Sequence, residues 1–331
     1  MKPQSTEKHA ELFAEHRAGL FGAAYRVLGT VQDSEDAVQE TWLRWQNVDL
    51  ARIRVPRSYL LRAVTRTALN SVRAQRRLRE DYPGPWLPEP VSTDAASEPG
   101  RVAEIADEVS LALLVMLDEL SPLERAAFVL REVFDVSYRQ VAQTIDRSET
   151  AARKLVSRAR GHVREASSRR PGDSAAHHAL TEKLLAVSQG RMPLEDFVSA
   201  LAPDVVLTTD AGGRAKAALN PIIGVEKVVR FTAGVLWTPE VAELSWTLGT
   251  VNGRAAIIGH QCELVDTVAW IETEGGLVTR IDMIRNPAKL GAVAARRHSA
   301  PAEAGAGEEL FSDPEEESEE AVVEAPAWEP E

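Results

Sequence analysis

Residues Ser137 to Val163, SYRQVAQTIDRSETAARKLVSRARGHV, constrain the local fold more tightly than any other stretch. Two helical patterns flank a short polar break, which fits a helix, a tight turn and a second helix. Counted from Glu149 at about 100° per residue, Ala152, Leu155, Val156, Ala159 and Val163 share one arc. Arg153, Ser157, Arg160 and Arg164 occupy a separate arc, with Lys154 and Arg158 beyond it. Ser148 stands where an N-cap side chain satisfies the free amides of a helix start. Residues 137–171 carry nine Lys or Arg against three acids. A helix that meets phosphates presents such a face, although a solvated basic face on an ordinary helix has the same composition.

Residues 51–79 favour the nucleic-acid reading, because they hold nine Arg and no acid. Within Ser58 to Arg79, Leu61, Val64, Ala68 and Val72 form a stripe predicted to be buried. Arg62, Arg66, Arg73 and Arg77 fall within an arc of about 60° beside it. Upstream, Asp33 to Trp45 reads DSEDAVQETWLRW. Its acids lie in the first turn, where the helix dipole favours them. Val38, Trp42 and Trp45 follow a spacing that suits either a core stripe or a surface docking on a large protein partner.

In this order the segments resemble the extracytoplasmic-function (ECF) sigma factors of the sigma-70 family. DSEDAVQETWLRW resembles the core-polymerase-binding part of sigma region 2. Ser58 to Arg79 resembles the part that captures and melts the −10 element, and the loop near Val48–Pro56 corresponds to the segment holding a flipped base. Ser121 to Val163 resembles region 4, which reads the −35 element and opens here on Ser-Pro-Leu-Glu at 121–124, a capping box with Pro at the first helical position. The resemblance implies that Asp33, Asp36, Gln39, Glu40, Trp42 and Arg44 bind core polymerase. It implies −10 contacts by Arg62, Arg66, Asn70, Arg73, Arg76 and Arg77. It implies −35 contacts by Ser148, Glu149, Thr150, Arg153, Lys154, Ser157, Arg158 and Arg160. The chain departs from the family at Thr67 and Asn70, where Asn and Asp are frequent. Asp146 replaces the turn glycine, and Asp tolerates such turn conformations.

Asp81 to Gly100, DYPGPWLPEPVSTDAASEPG, has five prolines and two glycines and cannot continue a helix. Tyr82 and Trp86 are foreign to a plain flexible spacer, so this segment is expected to dock on another surface of the protein. After a break at Arg169–Ser174, helical patterns appear at Ala176–Gln189, Leu194–Ala200 and Val225–Leu236. Strand-like runs appear at Val205–Thr209, Ala242–Thr250, Ala255–Gly259, Leu264–Glu272 and Leu277–Ile284. Helices followed by a strand meander predict an α+β domain with a curved antiparallel sheet.

That domain resembles the SnoaL-like, NTF2-type cone. Together with the sigma segments it points to the ECF subgroup with a fused C-terminal SnoaL-like domain. Three motifs carry this resemblance: Trp86, Leu87, Pro88, Glu89 and Pro90; Asp210, Gly212, Gly213 and Arg214; and Asn286, Pro287, Lys289 and Leu290. The subgroup pattern has Gly and Asp where this chain has Ala211 and Ala288. The resemblance implies that these residues make regulatory contacts, and that the fused domain replaces a separate anti-sigma protein. The expected architecture is multidomain. Two all-α sigma modules, region 2 at 1–80 and region 4 at 103–170, are joined by a Pro-rich linker at 81–102. The SnoaL-like α+β domain follows at 175–292, with a disordered acidic tail at 293–331.

A net charge of −12 looks wrong for a DNA binder until it is divided by region. Residues 300–331 hold twelve acids and no Lys or Arg, so residues 1–299 sum to zero. The tail has too few apolar residues to fold. Removing it just after Leu290 is expected to raise transcription, most at low salt, whereas deletion from about residue 175 is expected to lower it. One cysteine, Cys262, excludes an intrachain disulfide and suits the cytoplasm. No signal peptide or long apolar run appears, so no membrane partner is expected.

SnoaL relatives include enzymes that do acid–base work inside the cone. Asp210, His260, Asp266 and Asp282 are the candidates here, and they form no recognisable constellation. No Gly-rich phosphate loop, Cys/His metal spacing or nucleophile motif occurs. The expected function is an RNA polymerase sigma factor rather than an enzyme, with no cofactor. Its partners would be core polymerase, promoter DNA at −35 and −10, and a small-molecule ligand in the cone. The alternatives are a ligand-sensing operator binder that works without polymerase, and a SnoaL-type enzyme with a DNA-binding appendage.

Overall fold

Three helices come first, α1 (Pro3–Leu28), α2 (Val31–Trp45) and α3 (Pro56–Glu80), and each packs on the other two. The computed structural model describes residues 3–93, 109–167, 174–236 and 238–294. Leu61, Val64, Ala68 and Val72 of α3 are buried, as their spacing predicts. Trp45 is 1% exposed and donates its indole N–H to the His9 carbonyl at 3.0 Å. Trp42 lies half-buried with its ring 5.0 Å from that of Phe13. The Val38, Trp42 and Trp45 stripe is therefore core, because burying aromatic area inside the bundle is worth more than leaving it wet. A docking surface on α2 has to use the other face.

The second helical module comprises α4 (Leu111–Asp118), α5 (Pro122–Phe128), a π-helical turn (Val129–Val133), α6 (Tyr138–Ile145) and α7 (Glu149–Ser167). Ser121 and Glu124 form the capping box at the start of α5. Ser148 Oγ accepts the Ala151 N–H at 3.2 Å. Asp146 ends α6 with φ 55°, a left-handed conformation that Asp tolerates without glycine. Ala152, Val156 and Ala159 are fully buried, which leaves the basic arc of α7 outside.

The two helical modules pack directly on each other. Arg125 of α5 is 4% exposed and donates to the Val27 carbonyl at 2.9 Å and to Asp118 at 2.7 Å. Arg62 of α3 donates to Gln143 of α6 at 3.3 Å. One contiguous apolar core runs through both modules.

The remaining elements are α8 (Ser174–Ser188), α9 (Leu194–Val198), α10 (Val225–Leu236) and a six-stranded sheet. The strands are β1 (Leu201–Asp210), β2 (Ile222–Ile223), β3 (Ser245–Val251), β4 (Arg254–Gln261), β5 (Leu264–Glu274) and β6 (Leu277–Ile284), in the order β2-β1-β6-β5-β4-β3. The architecture is α+β, as expected. The sheet itself needs a correction: β3 to β6 form an antiparallel meander, but β1 pairs parallel with β6. The helices between β1 and β3 carry the chain to the far edge, so the meander returns with β6 alongside β1. The pair β2 was not foreseen, since two residues carry no periodicity. Ala242 belongs to a helical turn (Pro239–Ala242) rather than to β3.

One face of the sheet holds Leu207, Trp246, Ile257, Ala269 and Ile281 under the helices. The opposite face places Ala256, Ile258, Val268, Trp270 and Ile284 in the core of the helical modules. Packing continues past residue 292, because Val293 is 5% exposed in a last turn (Gly291–Ala294). The rest of the tail from 295, linker residues 94–102 and residues 103–108 lie outside the described residues. Among the described residues no helix is long and apolar enough to cross a membrane.

Candidate functional site

Helix α7 presents Ser148, Glu149, Thr150, Arg153, Lys154, Ser157 and Arg158 at the surface, with Arg160 partly covered. Arg153 pairs with Glu149 at 2.7 Å and lies 4.2 Å from the centre of the Tyr138 ring. Arg158 pairs with Glu124 at 3.0 Å and Arg160 with Glu132 at 2.8 Å. Exposed pairs of this kind contribute little, so phosphate oxygens can compete for the same guanidinium groups. On α3, Arg66, Asn70 and Arg73 are exposed, while Thr67 is 2% exposed and faces the core. The side chains of Arg76 and Arg77 lie outside the described residues.

On α2, Asp36, Gln39, Glu40 and Arg44 are exposed, with Glu40 and Arg44 ion-paired. Asp33 is half-buried and accepts the Thr30 hydroxyl. Leu43, 57% exposed, stands among them. Sequence reasoning passed over it. Its signal was a leucine on the polar arc of an otherwise well-ordered amphipathic helix.

Residues 82–93 run between the helical modules and the sheet, and Asp210 organises one side of that passage. At the end of β1 and 1% exposed, Asp210 accepts the Tyr82 hydroxyl, the Leu87 N–H at 2.8 Å and Lys289 Nζ at 2.7 Å. Lys289, itself 6% exposed, also donates to the Leu87 carbonyl at 2.6 Å. Its ammonium lies 3.9 Å from the centre of the Trp86 ring and 5.1 Å from that of Tyr82, a cation–π cage. Asn286 donates to the Tyr82 oxygen at 2.8 Å and accepts the Ala288 N–H at 3.1 Å. Burial, with the Asp210 carboxylate, pushes the Tyr82 hydroxyl well above its usual range, so it stays a donor.

Gly212 has φ 57°, and a Cβ there would sit 2.5 Å from Asn286 Nδ2. A Cβ on Gly213 would sit 2.8 Å from Pro83. The left-handed positions are thus 212 and 213, and Ala211 takes the place of a glycine whose freedom is not needed. Ala288 is exposed, so the carboxylate absent there would have faced water. Arg214 and Pro287 are exposed, while Leu290 is buried.

The other side of the linker faces region 2. The Trp86 ring packs so closely on Gly29 that a Cβ would sit 2.6 Å from it. Glu89 accepts the Val31 N–H at 2.7 Å, its own N–H donates to the Gly29 carbonyl at 2.8 Å, and its carbonyl accepts the Tyr25 hydroxyl at 2.5 Å. Pro88 and Pro90 are buried in the same passage. The Trp86–Pro90 segment therefore grips two surfaces at once.

The candidate acid–base residues do not converge. Asp282 accepts from Arg280 at 2.8 and 2.9 Å and also bonds the Thr208 hydroxyl, and Asp266 pairs with Arg285 at 2.9 Å. His260 lies 3.1 Å from the Thr247 hydroxyl, and Asp210 is held in the linker contact. A cavity of about 50 Å³ opens under α10, lined by Leu207, Phe231, Trp246, Ile257, Ala269 and Arg285 among others. None of the four candidates lines it. Among the described residues no group of three His, Cys, Asp or Glu is placed to hold a metal ion.

Residues 12–78 match the family model for sigma-70 region 2, and residues 110–163 match that for sigma-70 region 4. These modules, in this order, define a sigma-70-type sigma factor. The chain is 36% identical over 288 residues to the ECF RNA polymerase sigma factor SigJ of Mycobacterium tuberculosis, covering 84% of this chain and 91% of SigJ. It is 30% identical over 278 residues to the probable ECF sigma factor SigI of the same species, covering 83% and 92%. The crystal structure of Mycobacterium tuberculosis SigJ is similar with a TM-score of 0.68 and 34% identity, covering 86% of this chain and 98% of that one. The chain belongs to the ECF family of RNA polymerase sigma factors, and the likeness extends through the α+β domain.

Proposed function

We propose that this sigma factor works in the cytoplasm with core RNA polymerase, docking through the exposed face of α2 that carries Asp36, Gln39, Glu40, Leu43 and Arg44. The arginine face of α3 opens the −10 element, and α7 reads the −35 element. The C-terminal domain governs these steps in cis, without a separate anti-sigma protein, by holding the linker that joins the two modules. The observation that carries this reading is the buried Asp210, which binds Tyr82, Leu87 and Lys289 together and so fastens the linker to the sheet. Control rather than turnover suits the domain, because each candidate acid is already engaged by a partner. The cavity under α10 would take a small apolar ligand, which is the route by which a signal could reach the linker.

Run-off transcription with purified core polymerase tests the proposal. Specific initiation on adding core, weak promoter binding without it, and altered output from Asp210→Asn are the expected results. Tight operator binding by the free protein, with no transcription on adding core, would overturn it. Turnover that survives deletion of residues 1–170 would favour an enzyme instead.

A further inference from the structure

The hairpin between β3 and β4, Val251-Asn252-Gly253-Arg254, belongs to none of the motifs above. Hairpin tips normally stand in water, yet Asn252 is 1% exposed. Asn252 and Gly253 have φ of 49° and 72°, the pair that a two-residue type I′ turn requires. The Asn252 N–H donates to the Val91 carbonyl and its Oδ1 accepts the Val91 N–H, both at 2.9 Å. Its Nδ2 donates to the Val109 carbonyl at 2.9 Å and to the Tyr25 hydroxyl at 3.2 Å. Beside it, the Gly253 N–H donates to Thr93 Oγ1 at 2.9 Å and the Thr93 N–H to the Thr250 carbonyl at 2.8 Å.

One side chain therefore reaches three parts of the molecule: α1 of region 2 through Tyr25, the linker through Val91, and the start of the region 4 module through Val109. Tyr25, Val91 and Val109 are fully buried. At that depth a lost partner cannot be replaced by water, so the arrangement depends on the amide. Asn is also among the few residues that accept the left-handed turn.

We propose that Asn252 is a positioning residue that couples the C-terminal domain to both DNA-binding modules at once, separately from the Asp210 and Lys289 contact. The assignment rests on the in-cis reading above. The test places dyes on the full-length chain at Glu11→Cys and Lys154→Cys in a Cys262→Ser background. Single-molecule energy transfer then reads the distance between the two modules. Asn252→Gly keeps the turn and removes the side-chain bonds, and it should broaden and lengthen the distance distribution. Asn252→Asp keeps the acceptor for Val91 and loses both donations, and it should behave like the glycine variant. Tyr25→Phe removes the arm to α1, together with the Tyr25 bond to the Glu89 carbonyl, without touching the hairpin, and it should shift the distribution in the same direction. An unchanged distribution in Asn252→Gly and Tyr25→Phe, alongside a broadened one in Asp210→Asn, overturns the role of Asn252 and leaves the in-cis reading standing. No change in any of the four overturns both.

Discussion

Asp210 and Lys289 form a buried ion pair, with Tyr82 and the Leu87 N–H also bonded to the carboxylate and the Leu87 carbonyl to the ammonium. Removing one partner strands the other charge, which typically costs about 3–5 kcal/mol. Lys289→Met should therefore lower the thermal midpoint markedly, and the double variant with Asp210→Leu should recover part of the loss. Glu272 offers a second test. Burial pushes its carboxyl up from 4.5 to about 7, against the pull of Arg254 at 3.6 Å. The folded chain then holds that proton more tightly than the unfolded chain, so this group's contribution to stability falls as pH rises from about 4.5 through 7. Thermal melts should find Glu272→Gln more stable than the parent at pH 8, with the advantage gone at pH 4.5. Neither residue was legible from periodicity. Lys289 came forward through its motif alone, and Glu272 lay unremarked within a strand pattern.

At the scale of elements, the roles of α7 and α3 can be separated. Arg153→Ala should relax discrimination at the −35 element by ~1–3 kcal/mol if the guanidinium reaches a base edge. Competition binding across promoter variants checks this, and equal loss on every sequence would make Arg153 a phosphate contact. Arg73→Ala with Arg77→Ala should slow promoter opening while core binding stays intact, as read by permanganate footprinting and a pull-down. The helices were legible because a 3.6-residue period needs only neighbouring residues. The stripes of α3 and α7 were read correctly down to Ala68 and Ala159, and the cap at Ser148 with them. The parallel pairing of β1 and β6 was not legible, because the partner strand lies some seventy residues away and nothing in Leu201–Asp210 specifies it. The burial of Asn252 was hidden for the same reason: its Asn-Gly pair announces a hairpin and says nothing of what the tip will meet.

For the whole molecule, the structure moves the truncation boundary. A cut just after Leu290 would remove Val293, which is 5% exposed. A cut after Ala294 spares it, yet takes away twelve acids with Arg296 and Arg297, so the net charge rises from −12 to −2. Promoter affinity of the assembled enzyme should increase, most at low salt, and the gain should shrink as salt is raised. Equal affinities at every salt would make the segment irrelevant to DNA binding. The direct packing of region 2 on region 4 has a calorimetric consequence. Any engagement that parts the modules wets the apolar core they share, and wetting apolar surface raises the heat capacity. Promoter assembly should then show a less negative heat-capacity change than its DNA contacts alone would give. Because apolar cohesion weakens on cooling, the parted state should also gain ground in the cold.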